Sequence, residues 1–330
     1  MGFSELNSFI KYIELKRISP NNLQATVEKL QKYYYLDALL KPGLPIGKIS
    51  PQNKLNDLSG REWIKFTKTW FIHNPPPRKN EEILHPAKFP ETLIEEFIAF
   101  FTKKNELVVD PFLGTGSTMI AAYNKKRSCV GIELMPKYAN IAQKRINALL
   151  QSEKSKLDTF LPNHAQKNFY QIFIEDSRNI VELWEKNKLK LADFCITSPP
   201  YWNQLKQNTM RQKERKNSGL DTVYGEDERD IGNIDDYYLF IEEQKSIFDR
   251  VYEILKVNGY LVIITNNIFF KGRLYPLAFD TLISLSNKWV PKDEKIWCQN
   301  DKALLALGIN NAWVGNRHHQ YCLIFRKESE

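Results

Sequence analysis

From about residue 90 onward, short apolar runs alternate with amphipathic stretches along the chain. PETLIEEFIAFFTKK carries its apolar residues at helical spacing, and the continuous run ELVVDPF that follows reads as a buried strand. The alternation repeats: STMIAAYNKKR (helix), SCVGIEL (strand), PKYANIAQKRINALL (long helix), FYQIFIED (strand), NIVELWEKN (helix) and DFCITSPP (strand). After a polar loop come the helix DDYYLFIEEQKSIFDRVYEIL, the strand GYLVIIT, the helix PLAFDTLISLSNKW, and the strands KIWC and QYCLIFRK. Seven strands alternating with helices predict an α/β fold, a doubly wound and mostly parallel sheet covered on both faces. No helix separates the last two strands, which predicts an antiparallel pair at one edge. Upstream, residues 5–41 read as two helices broken at Ser19-Pro20, and KPGLPIGKISPQNKLNDLSG reads as an extended linker. The stiff run Asn74-Pro75-Pro76-Pro77 is taken as the boundary between a mainly helical region, 1–75, and the main domain, 76–330.

Composition narrows the class. A chain of 330 residues, 42% hydrophobic and 26% charged, is an ordinary globular protein. No apolar run reaches the length of a membrane span, and the start, MGFSELNSFIKYIELK, lacks the layout of a signal peptide. The four cysteines are scattered without a Cys-x-x-Cys, so they read as reduced core residues of a cytoplasmic protein. No metal site is expected, because neighbours such as His318 and His319 on a strand point to opposite faces. The net charge of +8 is uneven: residues 1–80 hold 13 Lys/Arg against 6 Asp/Glu, leaving the rest nearly neutral. A basic module on a neutral body fits a nucleic-acid partner, with a lysine-rich solvated face as the alternative.

Two stretches carry the chemistry. LVVDPFLGTGSTMIAA places Gly114 and Gly116 between a strand and a helix, where backbone approaches a ligand closely. Met119 stands where the dinucleotide fingerprint wants a third glycine, and the phosphate-loop lysine is missing. Acidic residues end the first three strands: Asp110, Glu133 and Asp176. Glu133 is placed to accept from ribose hydroxyls and Asp176 from an adenine amino group; alternatively these carboxylates cap the elements that follow. The second stretch, CITSPPYWNQ, ends a strand in Ser198-Pro199-Pro200-Tyr201; the alternative to a chemical role is a Pro-Pro turn closing a buried strand, with Tyr201 and Trp202 in the core.

DPFLGTGST together with TSPPY resembles the amino-group DNA methyltransferases, which use S-adenosyl-L-methionine to modify exocyclic nitrogens of cytosine or adenine. ILHPAKFPETLIEEFI resembles the segment that in this family precedes the glycine loop, and RHHQYCLIFRK resembles its closing strand, so the resemblance covers about residues 80–327. It implies a Rossmann-like methyltransferase fold with the cofactor held by His85, Pro86, Lys88, Phe89, Pro90, Asp110, Pro111, Phe112, Gly114, Gly116, Ser117, Thr118, Glu133, Leu134, Asp176, Ser177 and Thr197. Ser198, Pro199, Pro200 and Tyr201 would then be catalytic. Ser198 and the Pro199 carbonyl would accept from the target amino group, and Tyr201 would offer a flat face to a base flipped from double-stranded DNA. The sulfonium methyl is already activated, so neither metal nor covalent intermediate is called for.

Within the family, serine before Pro-Pro-Tyr is typical of cytosine-N4 enzymes, and Asp or Asn of adenine-N6 enzymes. The implied activity is a cytosine-N4 modification enzyme, with a cognate restriction endonuclease acting separately. An adenine-N6 enzyme, an RNA base methyltransferase and a non-catalytic binding protein are the alternatives. Many relatives place Pro-Pro-Tyr first; here the cofactor half, 85–176, precedes the catalytic half, 194–327, a circular permutation. Fewer than 20 residues lie between Asp176 and the strand leading to Thr197, too few for a recognition domain. DNA reading is therefore expected in residues 1–80 and in the loop after Tyr201, where Lys206, Arg211, Lys213, Arg215 and Lys216 face the single acid Glu214.

Overall fold

The computed structural model describes residues 49–74, 89–160, 168–203, 227–300, 302–309 and 311–329. The helices expected within 5–41 lie outside these. The chain divides into two compact units, residues 1–48 with 59–65 and residues 49–58 with 66–330.

In chain order the elements are α1 (Gly60–Phe66), β1 (Trp70–Ile72), α2 (Glu91–Phe101), β2 (Leu107–Asp110), α3 (Ser117–Asn124), β3 (Ser128–Glu133), α4 (Pro136–Phe160), β4 (Tyr170–Ile174), α5 (Ile180–Lys186) and β5 (Ala192–Thr197). They continue with α6 (Tyr237–Ile254), β6 (Leu255–Thr265), β7 (Ile268–Phe270), β8 (Arg273–Tyr275), α7 (Leu277–Leu285), β9 (Val290–Cys298) and β10 (His319–Arg326). The main sheet has eight strands in the order β1-β9-β10-β6-β5-β2-β3-β4, and β7 and β8 form a separate two-stranded ribbon. Strands β2 to β6 run parallel to their neighbours among themselves, and β10 lies antiparallel to both β6 and β9.

All seven expected strands are present; the main sheet has one strand more than expected, and the β7–β8 ribbon was also not anticipated. The added strand, β1, pairs in parallel with β9 at Trp70↔Ile296, so β9 is not the sheet edge. It lies before the proline run taken as the boundary, and the sheet therefore begins upstream of residue 76.

The helices form because their apolar residues recur on one face. In α2, Leu93, Ile94, Phe97, Ile98 and Phe101 are all buried, and in α4 the buried stripe is Tyr138, Ala139, Ala142 and Ile146. Asp236 caps α6 by accepting from the Leu239 N–H at 2.8 Å. Fully buried Phe194, Phe248, Phe325 and Trp289 fill the core, each large side chain contributing about 1.5–3 kcal/mol. No helix among the described residues is long and apolar enough to cross a membrane.

The strand order explains where a ligand fits. From β2 the chain proceeds outward through β3 and β4, then returns to place β5 on the other side of β2. The loops after β2 and β5 therefore leave in opposite directions and open a crevice at the carboxyl ends of these strands.

Candidate active site

That crevice is a cavity of about 970 Å³ including its open mouth. Fourteen of the residues singled out in the sequence line it: Phe89, Asp110, Pro111, Phe112, Gly114, Ser117, Thr118, Glu133, Leu134, Asp176, Ser177, Thr197, Ser198 and Pro200. Pro90, Gly116, Pro199 and Tyr201 stand outside the lining. His85, Pro86, Lys88 and the basic residues Lys206, Arg211, Lys213, Arg215 and Lys216 lie outside the described residues.

Asp110 joins the two halves. Its carboxylate accepts from the Thr118 hydroxyl of α3 and the Thr197 hydroxyl of β5, each at 2.6 Å, and from the Phe112 N–H at 3.0 Å. Burial raises its pKa, and these three donors work against that shift. Its position thus fixes the glycine loop relative to the Ser-Pro-Pro turn, 87 residues away in sequence.

The glycine loop needs its glycines. Gly114 and Gly116 have φ of 55° and 86°, and a Cβ on Gly116 would lie 2.8 Å from the Cβ of Ala142. Arg145 of α4 supports the loop from behind, donating to the Thr115 carbonyl at 2.7 Å and to Glu91 at 2.5 Å.

Glu133 holds the loop from the next strand. One carboxylate oxygen accepts from the Gly114 N–H at 2.7 Å and the other from the Met135 N–H at 2.8 Å. Burial nevertheless pushes its pKa up to about 7, so near neutrality it shifts between two charge states. Each oxygen keeps a further lone pair for a hydroxyl donor.

Two expectations change in detail. Asp176 does not stand as a bare acceptor: it caps the turn Ser177–Asn179 through the Arg178 N–H at 2.9 Å and is ion-paired with the Arg178 guanidinium at 2.8 Å. The capping alternative is thus realised, at a residue that also lines the cavity. Arg178 in turn donates to Glu243 of α6 and to the Arg229 carbonyl. Tyr201, expected to offer a face to a flipped base, is buried rather than exposed. It is only 6% exposed and belongs to a buried hydrophobic cluster that also holds Trp202, Ile231, Tyr237 and Phe240. Apolar burial won over display at the surface, and the hydroxyl is turned toward Ser198 at 3.3 Å and Gln320 at 3.0 Å.

The sequence reading missed the wall formed by Arg229, Asp230 and Ile231. Asp230 is buried and accepts from the Gly232 N–H at 2.8 Å, capping the turn Ile231–Asn233. Its only local signal was Asp-x-Gly inside an acidic loop tail.

A family model described as DNA methylase, of the N6/N4 type, matches residues 20–144 and 192–330. Type II methyltransferase M.BglI of Bacillus subtilis is 35% identical over 101 residues, covering 31% of this chain and 28% of its own. Type II methyltransferase M.ScaI of Streptomyces caespitosus is 32% identical over 142 residues, 42% of this chain and 47% of its own. The chain thus spans between about a quarter and a half of the length of these curated relatives. Among solved structures, TrmN from Thermus thermophilus aligns with a TM-score of 0.40 at 10% identity, over 72% of this chain and 48% of that one. N-methyltransferase NodS from Bradyrhizobium japonicum, in complex with S-adenosyl-L-homocysteine, aligns at 0.39 and 10% identity, over 72% and 86%. With four-fifths of its length inside the family match, this chain belongs to the N6/N4 DNA methylase family.

Proposed function

We propose that the protein is a site-specific DNA methyltransferase acting on the exocyclic N4 amino group of cytosine in double-stranded DNA. In this reading it works in the cytoplasm as a modification enzyme, with a restriction endonuclease acting separately. The observation that carries the reading is that Ser198 and Pro200 line the same cavity as the glycine loop and Glu133.

S-adenosyl-L-methionine is the cofactor of this family, and the residues present fit it. Strand-end carboxylates can accept from hydroxyl and amino groups, Phe112, Leu134 and Ile231 offer apolar walls to a purine ring, and the glycine backbone admits close approach. Glu133, Leu134, Asp176 and Ser177 would hold the nucleoside end, and Phe89, Asp110 and the Gly114–Thr118 loop the amino-acid end. When bound, the cofactor supplies an activated methyl group on a sulfonium.

The chain's own residues prepare the acceptor. An exocyclic amino nitrogen is a poor nucleophile because its lone pair is conjugated into the ring. Ser198 Oγ and the Pro199 carbonyl accept its hydrogens and draw it toward tetrahedral geometry. The two prolines restrict the backbone so that these acceptors keep their aim, since a misplacement of about 1 Å can cost roughly a hundredfold. The target base must leave the duplex for this contact. The basic loop after Tyr201 and the N-terminal region would bind the DNA backbone.

Serine at position 198 favours cytosine through the family pattern, and an adenine-N6 enzyme is the second reading. The type II methyltransferases among the relatives support a modification role. Nucleoside mass spectrometry of DNA from cells expressing the chain tests both, with N4-methylcytosine expected. N6-methyladenine without modified cytosine would overturn the assignment to cytosine.

A further inference from the structure

We propose that Tyr201 and Gln320 set the hydrogen-bond polarity of Ser198, making Gln320 a positioning residue for the catalytic acceptor. The inference rests on the reading that Ser198 Oγ accepts from the target amino group.

A serine hydroxyl carries one proton and two lone pairs. It can accept from an amino group only if its own proton points elsewhere; aimed at the target, that proton would set donor against donor. Here the Ser198 hydroxyl donates to Tyr201 Oη at 3.3 Å. Tyr201 in turn donates to Gln320 Oε1 at 3.0 Å, and the Ile264 carbonyl lies at 3.5 Å from the same phenol oxygen. Both groups beyond Tyr201 are acceptors, so its proton is drawn away from Ser198. Donation therefore runs from Ser198 to Tyr201 to Gln320, and the free lone pairs of Ser198 are left to the cavity that it lines. Burial holds the phenol well above its usual pKa, so it remains a protonated donor throughout the working range.

Sheet closure creates the relay. Gln320 comes from β10, and it lies 119 positions from Tyr201. Its neighbour Tyr321 pairs with Thr265 of β6, while Thr197, just before Ser198, pairs with Ile263 of the same strand. This double pairing with β6 brings an amide from the end of the chain beside the Ser-Pro-Pro turn. The buried ring of Tyr201 anchors the relay.

Single-turnover methylation of duplex DNA tests the inference, using the full chain and its Ser198→Ala, Tyr201→Phe, Gln320→Leu and Gln320→Glu variants. Affinity for S-adenosyl-L-homocysteine is measured alongside by calorimetry. Tyr201→Phe keeps the packed ring and removes only the relay, so the rate is expected to fall about 10- to 100-fold with cofactor-analogue affinity unchanged. Gln320→Leu is expected to lower the rate in the same direction by a smaller factor. Gln320→Glu should add a limb to the pH–rate profile that the wild type lacks. An ionised carboxylate only accepts, preserving the polarity, whereas a protonated one can donate to Tyr201 and reverse it. The variant should therefore recover toward wild-type rate as pH rises. Wild-type rates in Tyr201→Phe and Gln320→Leu, or a Gln320→Glu profile identical to wild type, would overturn the relay while an impaired Ser198→Ala kept the acceptor reading intact. A fully active Ser198→Ala would overturn the acceptor reading, and the relay with it.

Discussion

At the scale of single residues, the site is organised around carboxylates held away from bulk water. Asp110 is 4% exposed and accepts from two threonine hydroxyls. Asp110→Ala would leave both hydroxyls and the Phe112 N–H without this acceptor. Unfolding in urea should show a loss of roughly 2–5 kcal/mol, since each unsatisfied buried group costs about 1–3 kcal/mol. Glu133 titrates at about 7, and its folded value is raised above the ordinary carboxylate value of 4.5. The folded state thus holds the proton more tightly: the stability Glu133 contributes is fully present below about pH 4.5 and is lost as pH rises through about 7. Cofactor binding runs the opposite way, because a hydroxyl donor favours the ionised carboxylate. Affinity for S-adenosyl-L-homocysteine should rise between pH 6 and pH 8, about one unit either side of that pKa, and Glu133→Ala should weaken it by about 1.5–3 kcal/mol. Calorimetry giving a flat pH dependence and unchanged affinity in the variant would reduce Glu133 to a loop support.

At the scale of elements, one packing contact supports the glycine loop and another holds the chain before the edge strand β1. The start of α3 approaches α4 so closely that Gly116→Ala must push against the Cα of Ala142, 3.2 Å from the new Cβ, as well as adopt a strained φ of 86°. A loss of roughly 2–4 kcal/mol is expected in denaturant titrations. Adding Ala142→Gly should relieve the 2.8 Å contact with the Ala142 Cβ and recover part of the loss, leaving the approach to the Cα and the backbone strain.

On the far side of the sheet, Lys295 of β9 is buried, and its ammonium donates to the carbonyls of Phe66 and Lys68 just before β1. It also lies 4.4 Å from the centre of the Phe66 ring. Burial lowers its pKa to about 8 from 10.5. Between these values the unfolded chain binds the proton that the folded chain has lost, so stability rises with pH across that window. Lys295→Met should remove that rise, which amounts to roughly 2–3 kcal/mol. Urea midpoints at pH 7.5 and pH 10 compare the two proteins, and equal slopes would mean the lysine is not buried in solution.

At the scale of the whole molecule, the unit boundaries bear on how DNA binding should be tested. Residues 49–58 and 66–74 belong with the sheet: the Asn56 side chain donates to the Phe100 carbonyl at 2.6 Å, and the Phe66 ring stacks on Phe100 at 4.1 Å. A truncation at residue 75 would strip these contacts together with β1, whereas one at residue 48 spares them. Removing residues 1–48 should leave cofactor-analogue affinity intact, and it should weaken duplex binding about tenfold or more if that region carries DNA contacts. Affinity of the full chain should fall steeply with salt, as phosphate contacts require. Fluorescence anisotropy across a salt series measures both, and a truncated chain that binds as tightly with the same salt slope would place the contacts elsewhere.

Much of this architecture was legible because it is written in near-neighbour patterns. Continuous apolar runs bounded by polar or turn residues, such as LVV at 107–109 and LVII at 261–264, fit strands buried on both faces, and the helical stripes between them announce crossovers. Residue types at strand ends likewise pointed to the cavity, since the loops after parallel strands converge at one edge. β1 escaped because its three residues are too few to show a period, and it exists by pairing with β9. Asp230, Arg145 and Gln320 escaped because each meets the site through a contact between distant parts of the chain. By itself, then, the sequence determined the order of elements and the kinds of groups available for chemistry. Only the tertiary structure decided that Tyr201 turns inward, that Asp110 bridges β2, α3 and β5, and which way the Ser198 hydroxyl points. Periodicity is a property of residues a few positions apart, whereas burial and hydrogen-bond direction depend on which strands the closed sheet sets side by side.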